Sequence, residues 1–216
     1  MIESDRLFSK KYALQFFLTM VGFVLSLALF NWFARFVEAR PGAVIRDPLL
    51  AALPVVDLTW IIFLIIYLSL AIALVELRKH PRQFLYGIQV YIYIAAARVI
   101  TIFLTPLDPP AGMIFLRDPI VEFLASQQKI TRDLFFSGHT ATVFLFFLAV
   151  ESKSHKKFFL AATGLVGASL LLQHVHYTSD VIVAPFFTYG CYRLVGLIRK
   201  QLSQLGSPVN LVEPSL

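Results

Sequence analysis

The chain has little charge and almost no cysteine. Only 15% of its 216 residues are charged, whereas 58% are hydrophobic and 14% aromatic, and the mean hydropathy is +0.74. Because soluble domains carry about 25% charged residues, this composition excludes an ordinary soluble protein. The single cysteine, Cys191, excludes an internal disulfide. These shortages predict an integral membrane protein.

Long apolar runs occupy most of the chain. A helix needs about 20 apolar residues to cross the hydrocarbon core, or about 17 at the least. Six runs reach or approach that length: 12–33, 55–75, 84–104, 134–150, 158–173 and 181–198. They are continuously apolar rather than alternating with a period of two, which favours helices over strands. The sequence predicts an all-α polytopic bundle of six transmembrane helices over residues 1–202, followed by a flexible cytoplasmic tail at 203–216.

The first run is expected to remain in the protein. It is longer than the apolar region of a secretory signal peptide, and no small-residue cleavage pattern follows it before Asn31 and Trp32. We therefore interpret it as the first helix of the bundle.

Basic residues sort by connecting segment. Four segments on one side of the predicted bundle contain most of them: Arg6, Lys10, Lys11, Arg78, Lys79, Arg82, Lys153, Lys156, Lys157, Arg199 and Lys200. The positive-inside rule makes that side cytoplasmic, with both termini in the cytoplasm. The net charge of +6 therefore does not indicate a nucleic-acid partner. Most acidic residues lie on the opposite side, where we expect any chemistry to occur.

A first motif stands at the non-cytoplasmic start of the fourth run. Residues 133–140 read Asp-Leu-Phe-Phe-Ser-Gly-His-Thr. A helix start has free N–H donors and a partial positive charge, so the Ser137-Gly138 turn predicts a phosphate-binding cradle. Gly138 would permit the close approach of an anion. His139 would lie in the first turn, beside the bound phosphate.

A second motif, His-Tyr-Thr-Ser-Asp at 176–180, begins the last run on the same side. Residues four apart share a helix face, so Asp180 can accept a hydrogen bond from one ring nitrogen of His176 and leave the other as a nucleophile. Attack on phosphorus also needs an acid for the departing oxygen, and His139 is the candidate. A lone interfacial histidine is ordinarily a satisfied polar residue, but two on one side favour catalysis. His174 is either a turn residue or a substrate contact.

Arg98 lies inside the third apolar run. A charge there costs roughly 2.5–3.5 kcal/mol on insertion scales, so a function is expected. Its guanidinium could clamp a phosphate oxygen. The alternative is a structural ion pair with one of three carboxylates: Asp108, Asp118 or Asp133. The aromatic residues, Tyr177 among them, are either interfacial packing residues or contacts for a choline group.

The Ser-Gly-His-Thr and His-Tyr-Thr-x-Asp motifs together resemble the sphingomyelin synthase branch of the type-2 phosphatidate phosphatase superfamily. The resemblance covers about residues 86–194, which would be the catalytic core. It includes Asp133 six residues before His139 and an Arg-x-x-Thr-Ile run at 98–102. Six membrane spans with both termini cytoplasmic are also similar to that family.

The resemblance implies transfer of a phosphocholine or phosphoethanolamine headgroup from a glycerophospholipid to a lipid alcohol such as ceramide. His176 would attack the phosphorus and become a phosphohistidine, Asp180 would orient it, and His139 would protonate the departing diacylglycerol oxygen. No metal or other cofactor would be required. Substrate contacts are expected at five residues: Arg98, Asp133, Ser137, Gly138 and Tyr177.

Two other functions stay open on the sequence alone. One is a lipid phosphatase of the same superfamily, with water as the acceptor. The superfamily's lysine-to-Arg-Pro motif and its Ser-Arg before the last histidine are missing, with Gln173 and His174 at the latter place, which argues against a plain acid phosphatase. The other is a non-catalytic scaffold or transporter, although the chain has no repeated halves.

Overall fold

A computed structural model describes residues 10–118 and 129–205. These residues contain seven helices and no strand, so the predicted all-α fold is confirmed. The helices are α1 (Lys10–Glu38), α2 (Pro48–Ala52), α3 (Thr59–Leu77), α4 (Pro81–Leu104), α5 (Gly138–Ala149), α6 (Lys153–Leu172) and α7 (Thr178–Leu205). All except the short α2 coincide with a predicted apolar run.

Four of the helices, α1, α3, α4 and α7, are long and apolar enough to cross a membrane. The 12 residues of α5 would extend only about 18 Å at about 1.5 Å per residue. The 20-residue α6 begins with three lysines in its first two turns: Lys153, Lys156 and Lys157. The polytopic bundle is therefore supported by four candidate spans, with α5 and α6 shorter or more polar than the rest.

Side-chain caps and prolines set several helix starts. Ser137 precedes α5, and its hydroxyl accepts a hydrogen bond from the Thr140 N–H. Ser152 precedes α6 and accepts one from the His155 N–H. Pro81 opens α4, where a missing N–H costs nothing because the first turn has no intrahelical acceptor for it. These signals place the start of α5 within the first motif.

Helix α5 lies at the centre of the bundle, packed against α3, α4, α6 and α7. On one side its Val143 packs in a cluster with Ile62 and Val166. On the other side Ala141 belongs to a cluster that includes Val90 of α4. Helix α1 packs chiefly against α4 and leaves much of its apolar surface exposed, as expected for a helix that faces lipid.

The two ends of the bundle are chemically different. The starts of α5 and α7 meet at one end through a hydrogen bond from the Ser137 N–H to the Asp180 carbonyl. The starts of α1 and α4 and the end of α7 meet at the other, around a shared cavity. Residues 203–205, predicted for the tail, belong to α7, and the rest of the predicted tail lies outside the described residues.

Candidate active site

His176 and Asp180 are in contact. His176 Nδ1 lies 3.3 Å from Asp180 Oδ2, and the two side chains are 3% and 0% exposed. The sequence predicted both residues on one helix, but α7 begins at Thr178, so His176 precedes it. The contact forms because Asp180 Oδ2 also accepts a hydrogen bond from the Tyr177 N–H, 3.1 Å away. The carboxylate thereby holds both the ring and the turn that carries it.

Asp180 also joins the two motifs. Its carbonyl accepts a hydrogen bond of 3.1 Å from the Ser137 N–H, and its Oδ1 accepts one from the Ser179 hydroxyl. A neutral His176 that donates from Nδ1 to Asp180 would leave Nε2 as its unprotonated nitrogen, and Nε2 has no hydrogen-bond partner among the described residues. That is the state a nucleophilic imidazole requires.

The two histidines line one cavity of about 210 Å³, together with the carboxylates of Asp118 and Asp133. The Phe63 ring packs edge-on against the His139 ring, with the centroids 6.0 Å apart. The structure therefore brings the predicted nucleophile and the predicted acid to one space, although 37 residues separate them in the chain.

The start of α5 has the expected free donors. The N–H groups of Gly138 and His139 fall in the first turn, where no intrahelical acceptor exists, and they have no other acceptor in the described part of the chain. Ser137 itself is 0% exposed, and its Oγ accepts hydrogen bonds from the N–H and the hydroxyl of Thr140. Its hydroxyl therefore caps the helix rather than facing the cavity.

Arg98 forms an ion pair with Asp133, one of the three carboxylates considered as its structural partner. Its Nη2 lies 2.5 Å from Asp133 Oδ1, while its Nε donates to the Phe136 carbonyl at 3.0 Å. The guanidinium also lies over the Phe30 ring, 4.6 Å from the centroid. A Cβ added to Gly138 would be 2.7 Å from Arg98 Cζ. The space beside Gly138, which was predicted to hold an anion, is therefore occupied by the Arg98 guanidinium.

A second cavity, of about 240 Å³, adjoins the same residues. Arg98, Asp133, Gly138 and His139 line it together with mostly apolar side chains from α1, α3, α4 and α5. Asp133 and His139 line both cavities. His139 therefore borders a cavity that His176 and two carboxylates also line on one side, and a more apolar cavity within the bundle on the other.

Tyr177 and His174 face a different region. The Tyr177 side chain is 1% exposed, its hydroxyl donates to the Asp108 carbonyl at 3.0 Å, and burial raises its pKa. His174 has a backbone φ of 56°, and its Nδ1 lies 3.0 Å from the Ala111 carbonyl oxygen. Both residues line a separate cavity that His139 and His176 do not border. The geometry gives them roles in the turn that supports the second motif.

Asp47, which the sequence analysis missed, holds the start of α7. Its Oδ2 accepts a hydrogen bond of 2.6 Å from the Thr178 N–H, and its Oδ1 accepts from the Thr178 hydroxyl and the Leu50 N–H. Burial raises the pKa of this carboxyl, but the hydrogen bonds outweigh that effect and the net pKa is lowered. The Asp-Pro pair at 47–48 signals a helix cap, but no local pattern indicates a partner 131 residues away.

A second set of contacts that the sequence did not predict anchors the segment before the first motif. Glu38, at the end of α1, accepts hydrogen bonds from the N–H groups of Thr131 and Arg132 at 2.7 and 3.0 Å. Arg132 in turn donates to Asp108 Oδ1 at 2.6 Å, and this bond lowers the pKa of Asp108. The segment that leads to Asp133 is thereby held by Glu38 of α1 and by Asp108.

Residues 132–196 match the family model described as PAP2 superfamily C-terminal. The matched region contains both motifs, all of α5 and α6, and most of α7. The comparison with curated protein sequences gave no match. The family match supports the PAP2 superfamily and, together with the apolar helices, suggests a membrane lipid phosphatase or phosphotransferase type of activity.

Proposed function

We propose that this chain is a membrane lipid phosphotransferase in which His176 carries the transferred group. The observation that supports it best is that His176, engaged at Nδ1 by Asp180, borders the same cavity as His139. The group moved would be phosphocholine or phosphoethanolamine, taken from a glycerophospholipid and given to a lipid alcohol such as ceramide. Both substrates are membrane lipids, which suits a site built at the end of an apolar bundle.

The first half-reaction forms a phosphohistidine. His176 Nε2 attacks the phosphorus of the donor lipid, and the bond from phosphorus to the diacylglycerol oxygen breaks. His139, in its protonated form, gives its proton to that oxygen, so diacylglycerol leaves as a neutral alcohol. Asp180 orients the His176 ring and stabilises the positive charge that the ring gains.

The second half-reaction reverses these roles. The hydroxyl of the acceptor lipid attacks the phosphorus while neutral His139 takes its proton. The bond between phosphorus and His176 Nε2 breaks, which restores both histidines to their starting states. The product is a phospho-lipid of the acceptor alcohol.

Fixed donors at the start of α5 stabilise the charge on the phosphorus oxygens. The N–H groups of Gly138 and His139 lie at the positive end of the helix and have no protein acceptor in the described residues. The Arg98 guanidinium adds a positive charge next to Gly138. Asp133 positions this arginine, and Ser137 and Tyr177 position the two motifs.

The apolar cavity beside His139 favours a lipid acceptor over water. Its lining is mainly hydrocarbon from α1, α3 and α4, so it suits the chain of a lipid alcohol. The alternative function is a lipid phosphatase in which water enters this space and attacks the phosphohistidine. In either case the basic residues at the far end of the bundle favour a site on the non-cytoplasmic side.

The test is a product analysis with purified, detergent-solubilised protein. Fluorescent ceramide is added with phosphatidylcholine or phosphatidylethanolamine, and every lipid and water-soluble product is identified by mass spectrometry. We expect a new phospho-ceramide and diacylglycerol in equal amounts. His176→Ala should abolish both, and His139→Ala should slow both half-reactions.

His80→Ala is the matched control, because this exposed histidine precedes α4 at the other end of the bundle and its side chain makes no capping hydrogen bond. It should leave the activity unchanged. Diacylglycerol with only free phosphoalcohol would identify the hydrolase instead. Normal turnover by His176→Ala would overturn the mechanism.

A further inference from the structure

The end of the bundle opposite the two histidines contains a cavity of about 260 Å³. It is formed by the starts of α1 and α4 and the end of α7, and its lining residues are Tyr12, Gln15, Arg82, Leu85 and Arg199. Among the lining residues that the structure describes, two are arginines and none is a carboxylate. The cavity is separate from the candidate active site, and the two arginine charges have no carboxylate partner among residues 10–118 and 129–205.

Arg199 is fixed in position by neutral groups. Its Nε donates to Gln89 Oε1 at 2.8 Å, and Gln89 Nε2 donates to Thr19 Oγ1 at 2.9 Å. Its guanidinium lies over the Tyr86 ring, 4.9 Å from the centroid. These contacts use only one of the five guanidinium N–H donors. The terminal nitrogens of Arg199 have no acceptor among the described residues.

Two other anchored arginines of the bundle are neutralised by carboxylates. Arg98 pairs with Asp133, and Arg132 pairs with Asp108. Arg199, which is half-buried, has no carboxylate partner in the part of the chain that the structure describes. Removing a cation from water without a counter-charge is costly, so a bound anion would stabilise this half-buried guanidinium. The planar guanidinium fork matches phosphate oxygens in particular.

The surface beside the cavity is suited to hydrocarbon. Tyr12, Gln15 and Thr19 are spaced three and four residues apart, so they form one stripe of α1 that faces α4 and α7. On the neighbouring face Leu14 and Phe17 are 58% and 61% exposed. A molecule with its phosphate in the cavity would therefore have apolar helix surface directly beside it for its chains.

We propose that this cavity binds the phosphate headgroup of an anionic phospholipid in the leaflet at that end of the bundle. Basic pockets between transmembrane helices commonly hold such headgroups. The bound lipid would bridge α1, α4 and α7. Because α1 packs chiefly against α4, the lipid supplies α1 with a second attachment. This proposal does not depend on the phosphotransferase function.

The test measures the melting temperature of the full chain in detergent. His176→Ala is used as the background so that no lipid is consumed, and the protein is titrated separately with phosphatidylglycerol, phosphatidylcholine and inorganic phosphate. We expect phosphatidylglycerol to raise the Tm at a lower concentration than phosphatidylcholine or inorganic phosphate does. Arg82→Gln, which changes an exposed side chain, should weaken that effect about tenfold, the size expected for the loss of one charged hydrogen bond.

Lys200→Gln is the matched control. It removes the same charge from an exposed residue next to Arg199 that does not line the cavity, so its titration should equal that of the background. Arg199→Gln should weaken the effect at least as much as Arg82→Gln. Equal responses to phosphatidylglycerol and phosphatidylcholine, or equal titrations for Arg82→Gln and Lys200→Gln, would overturn the proposal. If inorganic phosphate alone raised the Tm as much as phosphatidylglycerol does, the ligand of this cavity would be a free anion and the lipid proposal would be wrong.

Discussion

Arg98 Nη2 and Asp133 Oδ1 lie 2.5 Å apart and connect α4 to the segment that precedes α5. The Arg98 side chain is 12% exposed and that of Asp133 is 29% exposed. The same guanidinium also binds the Phe136 carbonyl. It therefore holds the first and the last residue of the segment 133–136, which leads into the Ser-Gly-His turn. The ion pair therefore determines where the start of α5 and His139 lie.

This relationship predicts that the two residues contribute to stability as a pair. Either Arg98→Gln or Asp133→Asn should cost about 1–3 kcal/mol, since each leaves a largely buried charge without its partner. The double variant should cost less than the sum of the two. Thermal unfolding of the four proteins measures this, with Arg193→Gln, an exposed arginine of α7, as a control. Additive losses would show that the pair does not act as a unit.

Gly138→Ala should disturb the site, because the new Cβ would be 2.7 Å from Arg98 Cζ and the guanidinium would have to move. We expect lower turnover and a lower Tm. Gly164→Ala is the matched control in α6, since its Cβ would meet nothing within 4 Å. That change should be neutral or stabilise by up to about 0.5–1 kcal/mol, the usual gain of alanine over glycine in a helix. Equal effects of the two changes would contradict the close approach.

Asp180→Asn should preserve the fold and reduce turnover by roughly 10²–10⁴-fold. An asparagine oxygen can still accept the Tyr177 N–H, but the His176 ring loses its negatively charged partner. Ser179→Ala is the comparison, because it removes one hydrogen bond to Asp180 and leaves the carboxylate in place. The measurements are kcat and Tm for each variant. Similar activity of Asp180→Asn and Ser179→Ala would show that the charge is not needed.

The hydropathy pattern predicted the all-α fold and six of the seven described helices, because the length of an apolar run is a local property of the sequence. Hydropathy gave less information about α5, whose 12 residues are shorter than a full span. The short α2 was not predicted. Its five residues depend on the Asp47 cap and on Pro48, and they are too few to show a hydrophobic period.

The two motifs predicted the catalytic candidates because both stand at helix starts on one side of the bundle. The helical spacing correctly indicated contact between His176 and Asp180, although the contact forms in the turn before α7. The sequence did not indicate that Gly138 makes room for Arg98 or that Asp47 binds Thr178. Such contacts depend on packing between distant segments, and local patterns contain no information about them.

The lowered pKa of Asp47 predicts how pH affects the start of α7. Its carboxylate accepts hydrogen bonds from Thr178 and Leu50 in the folded state only, so it stabilises the fold wherever it is ionised. This contribution is fully present above the unfolded value of 3.8 and is lost as the pH falls through the lower, folded value. Replacing Asp47 should therefore lower the Tm by a constant amount between about pH 5 and 8.

Asp47→Ala measured against the native chain tests this expectation, and the difference in Tm should shrink only below about pH 4. Asp57→Ala is the comparison: hydrogen bonds from Thr59 of its own turn also lower the pKa of that carboxyl, so its effect should have the same pH dependence but a smaller size, because no distant segment is held. A difference that already disappears near pH 6 would assign the effect to another group.

The orientation of the bundle can be tested through its single cysteine. Cys191 is 8% exposed and packs against α4, so Cys191→Ala provides a background without an accessible thiol. Into it we would introduce Ser203→Cys at the end of α7 or Ala111→Cys in the segment after α4, both at exposed positions.

A membrane-impermeant maleimide should label Ala111→Cys in intact cells and Ser203→Cys only after permeabilisation. The reason is that lysine and arginine are retained on the cytoplasmic side, and they concentrate at the end that contains Ser203. The reverse labelling would place both histidines in the cytoplasm and restrict their substrates to lipids of the inner leaflet.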